Sequence, residues 1–397
     1  MNTCERFLKY VSFPTSSDEF SESVPSTHKQ KILGQYIADE LAEMGMEDVI
    51  LDDKGYVYAR LQGNIDGAIG FIAHLDTSPD APDSPVKPKI IDYNGGDIVL
   101  SEKIAIDVKG YPFIEKYKGQ KLIVTDGTTL LGADDKAGVA EIISMCGYFL
   151  NNPEKAHKTI AVCFTPDEEI GRGADHFDYN RFAAKEAYTV DGGTLGEIEY
   201  ENFNAASAVI TVKGVIIHPG SAKNKMKNAA LYVAEFMSMM PSAETPAHTE
   251  GYEGFYHIHD IKADETQGEI RMIIRDHDKE KFCKKKEFLI NLTDYLNSVH
   301  GEGTFTVEIR DSYYNMKEKI LPFMYLIDNA KAAFIKAGVN PECVPIRGGT
   351  DGARLSYEGL PCPNLSTGGE NFHSVREFIS VESLNKMTEV LINLASM

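Results

Sequence analysis

Gly70–Asp80 reads GFIAHLDTSPD. Its opening half, Gly70–Leu75, is a short apolar run that reads as a strand, and the chemistry begins where the run ends, at His74 and Asp76. Thr159–Phe164 and Ala187–Val190 are likewise too apolar for a wet face, so both read as strands covered on two sides. Tyr56–Leu61 adds another. Helical patterns alternate with them. Gln30–Met46 places Ile32, Leu33, Ile37, Leu41 and Met44 on one face, and Asp135–Leu150 places Val139, Ile142, Ile143, Cys146 and Leu150 inward. Strands of this kind between helices predict an α/β sheet covered on both faces.

The texture changes near Ala206. Ser207–Lys213 reads as a strand and Lys225–Met240 as a helix. Tyr252–Ala263 and Gly268–Arg275 read as a strand pair and Lys279–His300 as a charged helix with Phe282, Phe288, Leu289, Leu292 and Leu296 to bury. In Thr304–Asp311, Phe305, Val307 and Ile309 alternate with Thr306, Glu308 and Arg310. The order β-α-β-β-α-β predicts an α+β sandwich domain at 206–314, inserted into an α/β domain made of 1–205 and 315–397. A chain of 397 residues is long enough for two cores.

Acidic residues number 60 against 40 basic ones, for a net charge of -20, which disfavours nucleic acid and anionic membranes as partners. No apolar run approaches the roughly 20 residues that span a bilayer, and the N-terminus has no leader-like apolar core. The 6 cysteines are scattered without a Cys-x-x-Cys pair, which points to reduced thiols and a cytoplasmic location.

Five short motifs carry groups suited to chemistry. His74 and Asp76 stand two apart, where a strand would put both on one side and let the carboxylate orient the imidazole. Asp134 and Asp135, in LLGADDKAG, lie between a turn and a helix, where one could cap the helix and the other ligate a metal; spacing does not choose between them. Lys136 reads as a solvated first-turn residue. Asp167, Glu168 and Glu169 follow Pro166 and in isolation read as an acidic solvated turn. Two adjacent glutamates could also divide the labour of ligand and proton shuttle. Asp191 precedes Gly192–Gly193, and His373 follows a Gly-rich loop. Each feature alone is ordinary. Together they place two histidines and several carboxylates around strand ends, where open α/β sheets bind ligands. Such a set suits a pair of Zn²⁺ ions and hydrolytic chemistry.

The blocks ERFLKYVS, HLDTSPD, LLGADDKAG, FTPDEEIGRGA, YTVDGG, ENFNAASA, HPGSAKN, EGYEGFYH, RGGTDGARLS and LPCPNLSTGG occur in this order along nearly the whole chain. Together they resemble the peptidase T family, the tripeptide aminopeptidases of the di-zinc exopeptidase superfamily. The resemblance implies a zinc-dependent aminopeptidase that releases the N-terminal residue of tripeptides. It implies that His74, Asp134 and Asp191 hold one Zn²⁺, that Asp134, Glu169 and His373 hold the other, and that Asp134 bridges them. It makes Asp76 the residue that orients His74, and Glu168 the general base. Asp135 is left a supporting role. Taken alone, His218 is a turn histidine before Pro219, and Arg275 a strand residue paired with Asp276 or Asp278. The resemblance gives His218 the scissile carbonyl and Arg275 the substrate carboxylate, with the inserted domain acting as a lid. Arg347 and Asp351 are expected to shape the substrate pocket. Ser374 departs from the family, which commonly has Gly there. The inserted domain resembles one through which relatives dimerise, so a homodimer is a candidate assembly.

Overall fold

The computed structural model describes all residues, Met1–Met397. The chain forms two compact units: Met1–Tyr200, Glu318–Val344 and Thr350–Met397 in one, Glu201–Lys317 and Pro345–Gly349 in the other.

The first unit is built on an eight-stranded sheet. Four neighbouring strands at its centre, Thr159–Thr165, Ala68–His74, Ala187–Gly192 and Asn364–Ser366, run parallel. Val57–Leu61 and Glu47–Leu51 extend it antiparallel on one side. Both faces are covered, as the lack of polar alternation requires. Helix Ala133–Asn151 lies across one face and is buried along almost its whole length. Gly138 permits that approach, because a Cβ there would stand 2.0 Å from the Val190 carbonyl oxygen. On the other face Tyr58, Ile72, Ala161 and Cys163 pack with Phe177, Phe182, Leu355 and Cys362. Cys362 is thus a core residue, and all six cysteines are free.

Helix Lys29–Met44 buries Leu33, Ile37 and Leu41, but Ile32 is exposed. The buried stripe includes Gln30, Gly34 and Ala38, and so is centred about one position away from the expected one. A four-stranded sheet, Gly369–Glu370, Phe378–Ser380, Lys121–Val124 and Lys89–Asp92, has its own small core and was not foreseen. Its strands have only two to four residues, too few to show a period.

The second unit is an antiparallel sheet in the order Phe255–Ala263, Gln267–Asp276, Asn204–Lys213, Phe305–Tyr313. Helices Ala229–Ser238 and Lys279–His300 supply Val233, Phe236, Phe282, Leu289 and Leu296 to one core, with Ala206, Ala208, Ile210 and Val212 of the sheet. Pro345–Gly349 also belongs to this unit: His277 Nε2 bonds the Ile346 carbonyl at 3.0 Å, and Asn202 bridges Ile346. No helix is long and apolar enough to cross a membrane.

Candidate metal centre

Because the four central strands run parallel, their carboxyl ends share one edge of the sheet. His74 ends its strand in register with Thr165, and Glu168 and Glu169 follow after Pro166 and Asp167. Asp191 lies inside its strand, not beyond it. Asp134 enters helix Ala133–Asn151, and a cis peptide bond joins it to Asp135. His373 comes from the small sheet, at the tip of the hairpin Gly369–Glu370/Phe378–Ser380.

The five expected ligands converge. Asp134 Oδ1 lies 2.8 Å from His74 Nε2, and Asp134 Oδ2 lies 3.3 Å from His373 Nε2. Asp191 Oδ1 stands 3.3 Å from His74 Nε2, and Glu169 Oε2 stands 3.0 Å from His373 Nε2. One carboxylate therefore faces two imidazoles, each with a further carboxylate of its own. Asp135 also comes near His74 and Asp191, but its oxygens accept main-chain N–H bonds, Oδ2 from His74 at 3.0 Å and Oδ1 from Gly138 at 3.2 Å. It fastens His74 to the first turn of the helix.

Asp76 has more than one partner. His74 Nδ1 lies 2.9 Å from the Asp76 carbonyl oxygen and 3.3 Å from its carboxylate. The carboxylate also accepts from the main-chain N of Glu168 at 3.0 Å and of Glu169 at 3.1 Å. It therefore joins the His74 strand to the glutamate turn. Asp167 does the same from another side. It is buried at φ +58°, accepts from Ser26 N at 2.7 Å and Gln30 Nε2 at 2.6 Å, and ties the turn to helix Lys29–Met44. The acidic run is not a solvated turn. Lys136 is not solvated either: it is 1% exposed and donates to the Phe13 carbonyl at 2.8 Å.

The electrostatics fit a cation. Burial, then the charge of Asp134, pushes Glu169 up to about 8; burial pushes Asp191 up to about 6. Burial and the Asp191 charge raise Glu168 and Asp135 well above the carboxylate range. Burial would also raise Asp134, but the two imidazoles outweigh it and hold it low. Bonds to Asp134 and Glu169 push His373 up to about 11. The centre has more buried negative charge than its side chains neutralise, and Glu169 Oε1 is buried without any hydrogen-bond partner. Two imidazoles and three carboxylates suit divalent zinc.

The peptidase family M20/M25/M40 matches residues 117–397 of this chain. The chain belongs to that family. It is an enzyme, a hydrolase of the peptidase class. It is 52% identical to peptidase T of Halothermothrix orenii over 396 residues, covering 98% of this chain and 97% of the relative. It is 51% identical to peptidase T of Caldanaerobacter subterraneus subsp. tengcongensis, covering 99% and 98%. The fold matches the crystal structure of aminopeptidase PepT from Bacillus cereus with TM-score 0.76 at 24% identity, covering 100% of this chain and 97% of that one. It also matches the Bacillus subtilis YXEP protein, described as a dinuclear metal binding peptidase from the M20 family, with TM-score 0.66 at 15% identity, covering 99% and 96%.

The remaining expected residues of this M20 peptidase divide between the units. Asp351 lies in the first. It is buried, accepts from Thr165 Oγ1 at 2.9 Å and is pushed up to about 7 by burial. His218, in the second, is exposed, and its Nδ1 accepts from Gly220 N at 3.2 Å. Arg275 Nη1 donates to the carbonyls of Ile274 at 3.0 Å and Ala206 at 3.4 Å, with its guanidinium 5.4 Å from the Tyr313 ring. Neither neighbouring aspartate needs it: Asp276 accepts from Asp278 N at 3.0 Å, and Asp278 caps helix Lys279–His300 through Lys281 N at 2.8 Å. Arg347 fastens the EGYEGFYH segment, donating to Gly251 at 2.7 Å and Glu253 at 3.1 Å. Ser374 does not adopt a positive φ, so it needs no glycine; its hydroxyl donates to Asn371 O at 2.9 Å and closes the turn. Sequence reasoning missed Asp80, whose carboxylate is 3.1 Å from His373 Nδ1, although it stands in the same block as His74.

Proposed function

We propose that this M20 peptidase is a cytoplasmic zinc aminopeptidase that releases the N-terminal residue of tripeptides. The observation that carries the reading is Asp134, whose two oxygens each face a different imidazole. The identity with peptidase T over nearly the whole chain supports the tripeptide assignment.

In this reading His74, Asp134 and Asp191 hold one Zn²⁺, and His373, Asp134 and Glu169 the second. Zinc supplies Lewis acidity, which makes a water molecule acidic near neutral pH and offsets oxyanion charge. Glu168 takes the proton of the attacking water and returns it to the leaving amine. It is suited to this because Asp76 fixes its main chain, while burial gives its carboxylate a high proton affinity. Asp76 holds the His74 ring through Nδ1, and Asp135 holds its main-chain N–H. His218 stabilises the oxyanion, and Arg275 receives the peptide carboxylate, for which a planar guanidinium is well shaped.

The test is a zinc-reconstituted assay across peptide length. Free tripeptides should be cleaved, and dipeptides, tetrapeptides and N-acetylated tripeptides should be poor substrates. Equal cleavage of N-blocked peptides contradicts the aminopeptidase reading. Equal cleavage of tetrapeptides contradicts the length limit. Arg275→Ala should lower kcat/KM on free tripeptides more than on carboxyl-amidated ones; equal losses remove Arg275 from carboxylate recognition.

A further inference from the structure

Glu377 lies outside every motif that spacing offers, yet its buried carboxylate is fully used. Oε2 accepts from the main-chain N of Leu131 at 2.7 Å and of Gly132 at 2.8 Å. Oε1 accepts from the main-chain N of Asp134 at 3.0 Å. We propose that Glu377 is a positioning residue that locks the Asp134 carboxylate to the hairpin tip bearing His373, so that one side chain sets the geometry of both halves of the centre. The proposal rests on the reading of the centre as a two-ion site.

Two facts carry it beyond ordinary capping. Asp134 and Asp135 depart from helical φ/ψ, and the regular helix that follows is capped by Asp135, which takes the Gly138 N–H. Glu377 instead grips the approach to the helix, and one of the amides it holds belongs to Asp134 itself. The segment between His373 and Glu377 is also closed on itself. Glu377 N donates to the Ser374 carbonyl at 3.1 Å, Arg376 N to Ser374 Oγ at 3.1 Å, and Asn371 Nδ2 to the Arg376 carbonyl at 3.1 Å. A shift of Glu377 is therefore passed to His373. Charged acceptors make the stronger hydrogen bonds, and removing this one leaves buried N–H groups without partners. Groups that orient metal ligands from behind typically cost 10–100-fold in affinity when replaced.

The experiment measures stepwise Zn²⁺ affinity of metal-free protein by competition with a chromogenic chelator, alongside melting of the metal-free form. Wild type is compared with Glu377→Gln and with Glu40→Gln. Glu40 is also a buried carboxylate, bonded to Arg6 Nε at 2.8 Å and Tyr10 OH at 2.6 Å, outside the centre. Glu377→Gln should bind both ions about 10–100-fold more weakly. Glu40→Gln should melt lower and keep wild-type affinity. Unchanged affinity in Glu377→Gln, or equal loss in Glu40→Gln, overturns the inference. A wild type that binds fewer than two ions overturns the two-ion reading and the inference with it. Should Glu377→Gln fail to fold, native-state hydrogen exchange on the metal-free wild type decides. The amides of Leu131, Gly132, Asp134 and Glu377 should open as one unit; opening of 131–134 independently of Glu377 overturns the proposal.

Discussion

The two units make opposite use of polar groups. In the inserted sandwich the core is apolar, with Ile210, Phe236, Ile270, Met272, Leu289 and Leu296 fully buried, and the buried charges Asp276 and Lys285 lie outside it, 3.8 Å apart. At the carboxyl edge of the large sheet, carboxylates are buried around His74, His373 reaches them from an exposed position, and the backbone accepts unusual conformations to place them. Asp167, Asn371 and His373 all have positive φ without being glycine. Such departures cost on the order of 1–3 kcal/mol each and persist where the surroundings enforce them. Here the enforcement is visible: Asp76, Asp135 and Glu377 accept main-chain N–H groups from segments that bear the proposed ligands or the base, and Asp167 anchors the glutamate turn by accepting from Ser26 N. The sandwich follows the ordinary rules of pattern; the centre breaks them in a coordinated way.

The largest effect should come from the bridge. Asp134→Ala should lose both zinc ions and reduce turnover to background, as read by metal analysis and a tripeptide assay. Retention of one tightly bound ion would break the account of a shared carboxylate. Next comes Glu168→Gln, expected to lower kcat by roughly 10²–10⁴-fold while both ions stay bound. Loss of zinc in that variant would make Glu168 a ligand and move the base elsewhere.

A change in the sandwich should do the reverse. Phe282 is buried in its core, and Phe282→Ala should cost about 3–5 kcal/mol of stability in denaturant unfolding. Zinc stoichiometry should not change. A fall in zinc content in folded protein would show that the sandwich core and the metal centre are energetically coupled.

How much of this was legible follows the same division. Helix Lys279–His300 was read with its true ends, and Phe305, Val307 and Ile309 face inward as alternation predicts. An apolar period records burial directly. At the centre, residue type and position gathered His74, the Glu168/Glu169 pair, Asp191 and His373, and the resemblance to the peptidase T family singled out Glu169 as the expected ligand. They did not choose between Asp134 and Asp135, because adjacent aspartates differ only in what their oxygens meet in three dimensions. Asp167 and Glu377 act by accepting N–H bonds from residues far along the chain, and no spacing records that. Lys136 was misplaced because a lysine beside two aspartates looks solvated until the chain folds over it.

The smallest predicted effect concerns pH. Glu199, in the large sheet, is pushed up from its ordinary 4.5 to about 8, chiefly by burial, with Glu197 adding to it. The folded state thus holds a proton that the unfolded chain releases above about pH 4.5, so this group's share of stability is complete below that pH and is lost as pH rises towards 8. Glu199→Gln cannot ionise. Its melting temperature relative to wild type should climb between pH 5 and pH 9; a constant difference across that range would show that Glu199 is already ionised in the fold.

The most direct test of the two-ion centre is anomalous diffraction from crystals of the zinc-loaded protein. The account predicts two peaks, one between His74 and Asp191 and one between His373 and Glu169, with one oxygen of Asp134 on each. A single peak, or a pair held by Asp135 with Asp134 turned away, would contradict it.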